Sequence, residues 1–236
     1  MKLRLIFFAS LLGLTVFAAQ ESLVKLDTAP IKLNDKKMLL RGAKHFKQQC
    51  MLCHSMRYLR YDAISKEAGI TLDQMPKWDD LSWGGHPPPD LSLVVKRRTA
   101  DWLYTFLRAY YVDPTRPTGV NNLVWPNTSM PNPFSAQQGL QKLLISEEQL
   151  KRSHGSMRWS EVLELERSGK MTGEQFDQYI DDIVNYLVYA SDPSAIKRQE
   201  MGKWVIGYLL ILLLFVLMLS INYWDEVKRK YYQEKR

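Results

Sequence analysis

Cys50-Met51-Leu52-Cys53-His54 contains both cysteines of the chain, and its C-x-x-C-H spacing reads as the attachment segment of one covalently bound haem c. The two thiols add to the vinyl groups of a single macrocycle, and the adjacent His54 is placed to bind iron from the proximal side. Three other chemistries use parts of the same string. A thioredoxin-like pair is also C-x-x-C, but wants a strand–helix pattern around it that this sequence lacks. A structural zinc site needs four ligands, and there is no second cysteine pair. A disulfide between Cys50 and Cys53 would leave His54 without a role.

Outward from this segment the pattern is helical. Leu39, Leu40, Ala43, Phe46 and Lys47 recur at near-helical spacing, with Gly42 placed for a close helix contact, and this helix is expected to end at the Cys50–His54 loop. A second amphipathic run carries Phe176, Ile180, Ile183, Val184, Leu187 and Val188 on one side, with Asp177, Asp181, Asp182 and Asn185 expected mostly on the other. Two such helices crossing beside a haem define a mostly α, class I c-type cytochrome-like domain; two unrelated core helices are the plainer alternative. Trp102, Tyr104, Tyr110 and Tyr111 form an aromatic segment whose default role is packing.

The residues leave the second axial ligand open. Electron-transfer haems of this class take His and Met, the thioether favouring the ferrous state. Among the 10 methionines, Met130 stands apart because Asn127-Thr128-Ser129-Met130-Pro131-Asn132-Pro133 must be loop, with a flanking proline to hold the chain. Met75, which also precedes a proline, and His86, His45 and His154 are its rivals.

Both ends of the chain are apolar. Met1-Lys2-Leu3-Arg4 followed by the run Leu5–Ala18 matches a secretory signal peptide, residues 1–18, with an uncleaved anchor as the alternative. Trp204–Ile221 carries no charge and has the length of a membrane helix, expected over 203–222, with Tyr208, Tyr223 and Trp224 suited to the interfaces. Lys228, Arg229, Lys230, Lys235 and Arg236 follow, so the positive-inside rule puts residues 223–236 in the cytoplasm and the 19–200 domain on the other side, in the periplasm of a bacterial inner membrane. Of the formal net charge of +7, much sits at the two ends, for residues 20–200 hold 24 basic and 22 acidic side chains. No basic groove with interleaved aromatics is present, which argues against nucleic acid as a partner. Between Glu161 and Asp182 seven acids face only Arg167 and Lys170. That excess suits steering of a basic partner, and an ordinary solvated helix face accounts for it equally well.

These residues together resemble the cytochrome c1 family, the haem-bearing subunits of quinol–cytochrome c oxidoreductases. The resemblance covers essentially the whole processed chain. It is carried by Arg41-Gly42, Phe46 and Cys50 to Met56; by Pro88-Pro89-Asp90-Leu91-Ser92 with Lys96-Arg97-Arg98; by Pro117-Thr118-Gly119 and Met130-Pro131; and by Tyr186-Leu187, Asp192-Pro193, Lys197-Arg198 and Gly202 before the apolar helix. It implies His54 and Met130 as axial ligands and Cys50 and Cys53 as thioether attachments. Arg98, or else Arg97, would pair with a haem propionate, although a solvated basic face is the alternative; Pro88 and Pro89 would shape the haem wall. The loop between Gly119 and Met130 is compact, and no cysteine remains for a disulfide near it.

The function the resemblance implies is one-electron transfer from a Rieske iron–sulfur protein to a cytochrome c, beside cytochrome b and membrane lipid, in a dimer of complexes, with no independent catalytic site. A membrane-anchored mono-haem carrier serving another oxidase or reductase is the alternative.

Overall fold

The computed structural model describes residues 22–59, 62–79 and 82–234, so the expected signal segment lies outside it. The elements run α1 (Lys36–Gln49), α2 (Ala63–Glu67), α3 (Ser82–Gly85), α4 (Val94–Arg97), α5 (Ala100–Phe106), β1 (Tyr110–Val112), β2 (Val120–Asn122), β3 (Gly139–Leu143), α6 (Glu147–Arg152), α7 (Trp159–Val162), β4 (Leu163–Ser168), α8 (Gly173–Ser191) and α9 (Ala195–Glu234). The architecture is mostly α-helical. Two compact units emerge, one joining Thr28–Tyr104 to the chain from Met171 onward, the other joining the described residues up to Asp27 to Thr105–Lys170.

The first unit is built on α1 and α8. Asp35 starts α1 by accepting the Met38 N–H at 3.0 Å, and Thr172 starts α8 in a reciprocal capping box with Gln175. Most of the apolar stripe expected of each helix is buried: Leu39, Ala43 and Phe46 on α1, joined by Met38, and Phe176, Ile180, Ile183, Val184 and Leu187 on α8, whereas Leu40, Lys47 and Val188 are half-buried. The two helices cross at Gly42, where a Cβ would stand 1.9 Å from the Asp182 carbonyl oxygen, so only hydrogen fits there. The expected close contact at Gly42 is found.

Asp182 and Asn185 differ from expectation, for both are buried rather than on the solvated face of α8. Each is satisfied by a partner distant in sequence. Asp182 accepts from Arg41 Nε at 2.8 Å and Nη2 at 2.9 Å, a two-pronged bond across the helix crossing. Asn185 accepts the Lys32 N–H at 2.6 Å and donates to the Pro30 carbonyl at 3.0 Å, fixing the chain that leads into α1. A further polar seam docks α2: Tyr189 donates to Asp62 at 2.6 Å, and Ser65, bonded to Asp62 at 2.7 Å, meets the Tyr186 hydroxyl at 2.9 Å.

In the second unit β1 and β2 form an antiparallel pair with Tyr110 opposite Asn122, and β3 and β4 a second pair with a bulge at Leu140/Gln141. Arg108, 5% exposed, donates to Asp27 at 2.6 Å beneath the Trp159 ring, while Trp159 Nε1 donates to the same carboxylate at 2.7 Å. Tyr110 and Tyr111 are buried, and so is Tyr104 in the first unit, in line with a packing role.

α9 is 40 residues long with a mean hydropathy of 2.8 over its most apolar window, and none of its residues is buried, consistent with a single membrane span. It continues past the expected span, through most of the expected tail, to Glu234. No glycine or proline interrupts residues 208–236, and Lys230 reaches back to Glu226 at 2.8 Å, so nothing there ends a helix.

Candidate functional site

The Cys50–His54 loop grows directly out of α1. Phe46 O accepts the N–H groups of Cys50 (2.8 Å) and Met51 (3.0 Å), and Cys50 O then accepts those of Cys53 (3.1 Å) and His54 (2.8 Å), winding the segment into one tight turn. Met51 points into the core, whereas Leu52 is 70% exposed. Trp78 closes the turn from outside, its indole N–H donating to Cys53 O at 2.7 Å.

Cys50 and Cys53 are not bonded to each other. Burial, with Cys53 beside it, pushes the Cys50 thiol up to about 12, the opposite of what an activated redox cysteine requires. Among the described residues no three His, Cys, Asp or Glu side chains gather as a metal-ion cluster, which counts against the zinc reading.

His54 is 8% exposed, and its Nδ1 lies 2.8 Å from the Pro89 carbonyl oxygen. A carbonyl can only accept, so Nδ1 carries the proton and the Nε2 lone pair is left to bind. Burial lowers the His54 pKa; the Pro89 bond and the nearby Asp90 charge act in the opposite direction without overcoming it.

Pro88-Pro89-Asp90-Leu91-Ser92 runs alongside residues 54–58 as a clamp. Asp90 Oδ2 accepts from Ser55 Oγ at 2.7 Å and from the Arg57 N–H at 2.9 Å, while Oδ1 accepts the Ser92 N–H at 2.9 Å. Leu91 N donates to Ser55 O at 2.9 Å, and Tyr58 N to Ser92 Oγ at 3.2 Å. Burial alone would raise the Asp90 pKa, but the Ser55, Ser92 and Arg57 hydrogen bonds outweigh it and hold the carboxyl below its ordinary value. Asp90, Ser92, Ser55 and Trp78 were not among the site residues expected from sequence. The Asp-x-Ser turn was a local signal for part of this arrangement; the pairing with residues 54–58 had none.

The two candidate arginines do different things. Arg97 donates from Nη2 to the Asp90 carbonyl at 3.0 Å, and Arg98 sits half-buried with its guanidinium 5.0 Å from the Trp102 ring centroid.

Met130 belongs to the other unit, where its loop has its own bracing. Asn127 adopts a left-handed φ of 64°, Met130 N donates to Thr128 Oγ1 at 3.2 Å, and Asn132 accepts from the N–H of the fully buried Phe134 at 2.9 Å. Met130 itself is half-buried. Among its rivals, Met75 already accepts the Met56 N–H on sulfur at 3.4 Å, and His45 packs on Tyr179 at 4.2 Å with Asp182 3.8 Å away. His86 and His154 are exposed.

The acidic stretch is not one free patch. Glu161 pairs with Arg158, Glu164 with Lys142, and Asp182 is spent on Arg41. The stretch is also divided between the two units.

Comparison with known proteins finds the Cytochrome C1 family model matching residues 77–227. Cytochrome c1 of Allochromatium vinosum is 33% identical over 236 residues, covering 92% of this chain and 96% of that one. The ammonia monooxygenase gamma subunit of Nitrosomonas europaea is 34% identical over 222 residues, covering 86% and 89%. Cytochrome c1 of Rhodospirillum rubrum is 25% identical over 239 residues, covering 82% and 83%.

Proposed function

This chain belongs to the cytochrome c1 family and is a membrane-anchored electron-transfer protein of that family; from that premise we propose that it carries single electrons from a Rieske iron–sulfur protein to a cytochrome c, within a quinol–cytochrome c oxidoreductase. The observation that carries the reading is the His54–Pro89 hydrogen bond. It fixes one tautomer of a buried imidazole that directly succeeds a thiol pair in the chain, which is what an axial ligand requires and what a merely packed histidine does not.

The residues fit one haem c. Cys50 and Cys53 would hold it through thioethers and His54 would bind its iron, Met130 is the second iron ligand that the family resemblance implies, Pro89 would border it, and Arg98 would pair with a propionate. When bound, haem c supplies a reversible one-electron couple between ferric and ferrous iron. The chain's own part is mechanical and electrostatic. The turn from Cys50 to His54 sets the imidazole's position, the Pro88–Ser92 clamp holds its orientation, and burial keeps water from its Nδ1 proton. α9 keeps the domain at the membrane, where tethering raises the effective concentration of membrane-bound partners. Cytochrome b and lipid are the neighbours of α9 in this reading. The exported domain faces the periplasm, the C-terminus faces the cytoplasm, and the whole works as a dimer of complexes.

A second reading comes from the Nitrosomonas relative, whose name places it with an ammonia monooxygenase at an identity matching that of the Allochromatium cytochrome. There the same anchored carrier would serve a different oxidoreductase. A reduced-minus-oxidised spectrum of the tagged protein, purified from membranes in mild detergent, separates the two. Co-purifying c-type and b-type bands support the quinol–cytochrome c oxidoreductase. A c-type spectrum alone, from a preparation that keeps other membrane complexes intact, favours the second reading. Absence of any c-type band refutes both.

A further inference from the structure

We propose that Asp90 is a positioning residue for His54, its carboxylate holding the Pro89 carbonyl on the imidazole and placing a fixed negative charge that favours the ferric state. The inference rests on the reading of His54 as an axial ligand.

The geometry leaves Asp90 little other purpose. Its two carboxylate oxygens take three hydrogen bonds, from Ser55 Oγ, Arg57 N and Ser92 N, and its own carbonyl takes a fourth from Arg97. Two of those donors, Ser55 and Arg57, lie just after His54 in sequence, and the residue before Asp90 supplies the carbonyl that His54 contacts. The carboxylate therefore ties the segment that follows His54 to the one that carries the Pro89 carbonyl, beside the Leu91 N–H bond to Ser55 O. Ser55 and Ser92 are 5% and 1% exposed, so water does not substitute for either hydroxyl.

The sign of the electronic effect follows from charge. Oxidation adds one positive charge to the metal, and an anion next to its ligand stabilises the more positive state. A firmly held Nδ1–H···O bond acts the same way by making the imidazole a stronger donor. Asp90→Asn keeps the shape and removes the charge. Ser55→Ala keeps the charge and removes a donor that partly neutralises it, while the Arg57 N–H bond to Asp90 and the Leu91 N–H bond to the residue 55 carbonyl still hold the two segments together. The two substitutions therefore move the equilibrium in opposite directions, which a purely structural role for Asp90 does not predict.

The test uses the full chain purified from membranes in detergent, with covalent haem first verified on a denaturing gel. Optical titration with mediators then gives the ferrous-to-ferric ratio at the potential where the unsubstituted protein is half reduced. Asp90→Asn is expected to raise that ratio roughly three- to tenfold, tenfold being about 59 mV for one electron. Ser55→Ala is expected to lower it roughly twofold. Glu226→Gln, which removes a carboxylate near the C-terminal end of α9, serves as the net-charge control and leaves it unchanged.

An Asp90→Asn ratio equal to that of Glu226→Gln overturns the proposal. If Asp90→Asn does not accumulate as a haem protein, Ser55→Ala decides alone, and an unchanged or raised ratio overturns it. Lack of covalent haem in the unsubstituted chain overturns the cofactor reading and this one with it; haem present with unmoved ratios overturns this one only.

Discussion

Gly42→Ala is expected to be severely destabilising although alanine is the better helix former. The added Cβ would lie 1.9 Å from Asp182 O, 2.6 Å from Asp182 C and 2.9 Å from Tyr186 Cβ. Two of these are backbone atoms of α8, so no side-chain rotation relieves the clash. A carbon–oxygen contact relaxes at about 3.4 Å, so α1 and α8 must separate by roughly 1.5 Å at their crossing. Overpacking of this kind costs about 2–3 kcal/mol. The same displacement strains the paired Arg41–Asp182 hydrogen bonds, now 2.8 and 2.9 Å, for about 2 kcal/mol more. Helix propensity returns about 1 kcal/mol. The net loss of about 3 kcal/mol corresponds to a fall in Tm of about 6–12 °C for a chain of this size. Thermal unfolding of the full chain in detergent, followed by far-ultraviolet circular dichroism, measures it. Gly173→Ala is the matched control, since nothing lies within 4 Å of its Cβ position. If Gly42→Ala melts with Gly173→Ala, the crossing is not close-packed at Gly42 and the reasoning fails.

Two further outcomes are expected. Burial lowers the His45 pKa, Asp182 opposes the shift, and Arg41 reinforces it; the folded protein thus binds its proton less readily than the unfolded chain, whose value is about 6.5. His45 therefore supports full stability above about pH 6.5 and progressively less as pH falls through its depressed folded value. His45→Gln should flatten the urea midpoint against pH between about pH 7 and 5, and an unchanged slope would show that His45 does not contribute to it. Met130→Ala should open the sixth coordination position of the ferric protein, so that added cyanide or azide binds and shifts the spectrum, whereas Met75→Ala leaves it closed. The reverse pattern would transfer the ligand to Met75.

Periodicity and one short motif made the helical frame readable. The C-x-x-C-H string marked the loop, the apolar stripes marked α1 and α8, and Gly42 marked their contact, because each is a local signal. The misplacement of Asp182 and Asn185 has a single cause: hydrophobic patterning assigns polar residues to water, and it cannot see Arg41, 141 residues away, or Lys32, 153 residues away, waiting to satisfy them. The same blindness hid Asp90, whose partners Ser55 and Arg57 are 35 and 33 residues distant. Counting charge along 161–182 overlooks pairing, since Arg158 just outside the stretch, Lys142 on β3 and Arg41 on α1 engage Glu161, Glu164 and Asp182. The short β pairs gave no periodic signal because three to six residues, part buried and part exposed, hold too few alternations to register.

The placement of Asp90 gains weight from the helix just beyond it. Two residues past the clamp begins α4, and this four-residue helix is bonded to the junction between α8 and α9. Val95 N donates to Ser191 Oγ at 3.3 Å, and Lys96 reaches Asp192 at 3.3 Å. Asp192 is gripped in turn by Arg198 of α9 through bonds of 2.6 and 2.7 Å, which hold its carboxyl well below the usual carboxylate range. Every member of this series lies within one compact unit. The hydrogen-bonded route from His54 through Pro89, Asp90 and α4 thus ends at the first turn of the apolar helix. A second route reaches the same junction: α1 carries the Cys50–His54 turn at its C-terminal end, is locked to α8 at Gly42 and Asp182, and α8 ends at Ser191. One connection would let the His54 segment swing about the α8–α9 joint. Two connections that meet at Ser191 and Asp192 close a ring, and a ring fixes the orientation of the His54 segment relative to the start of α9.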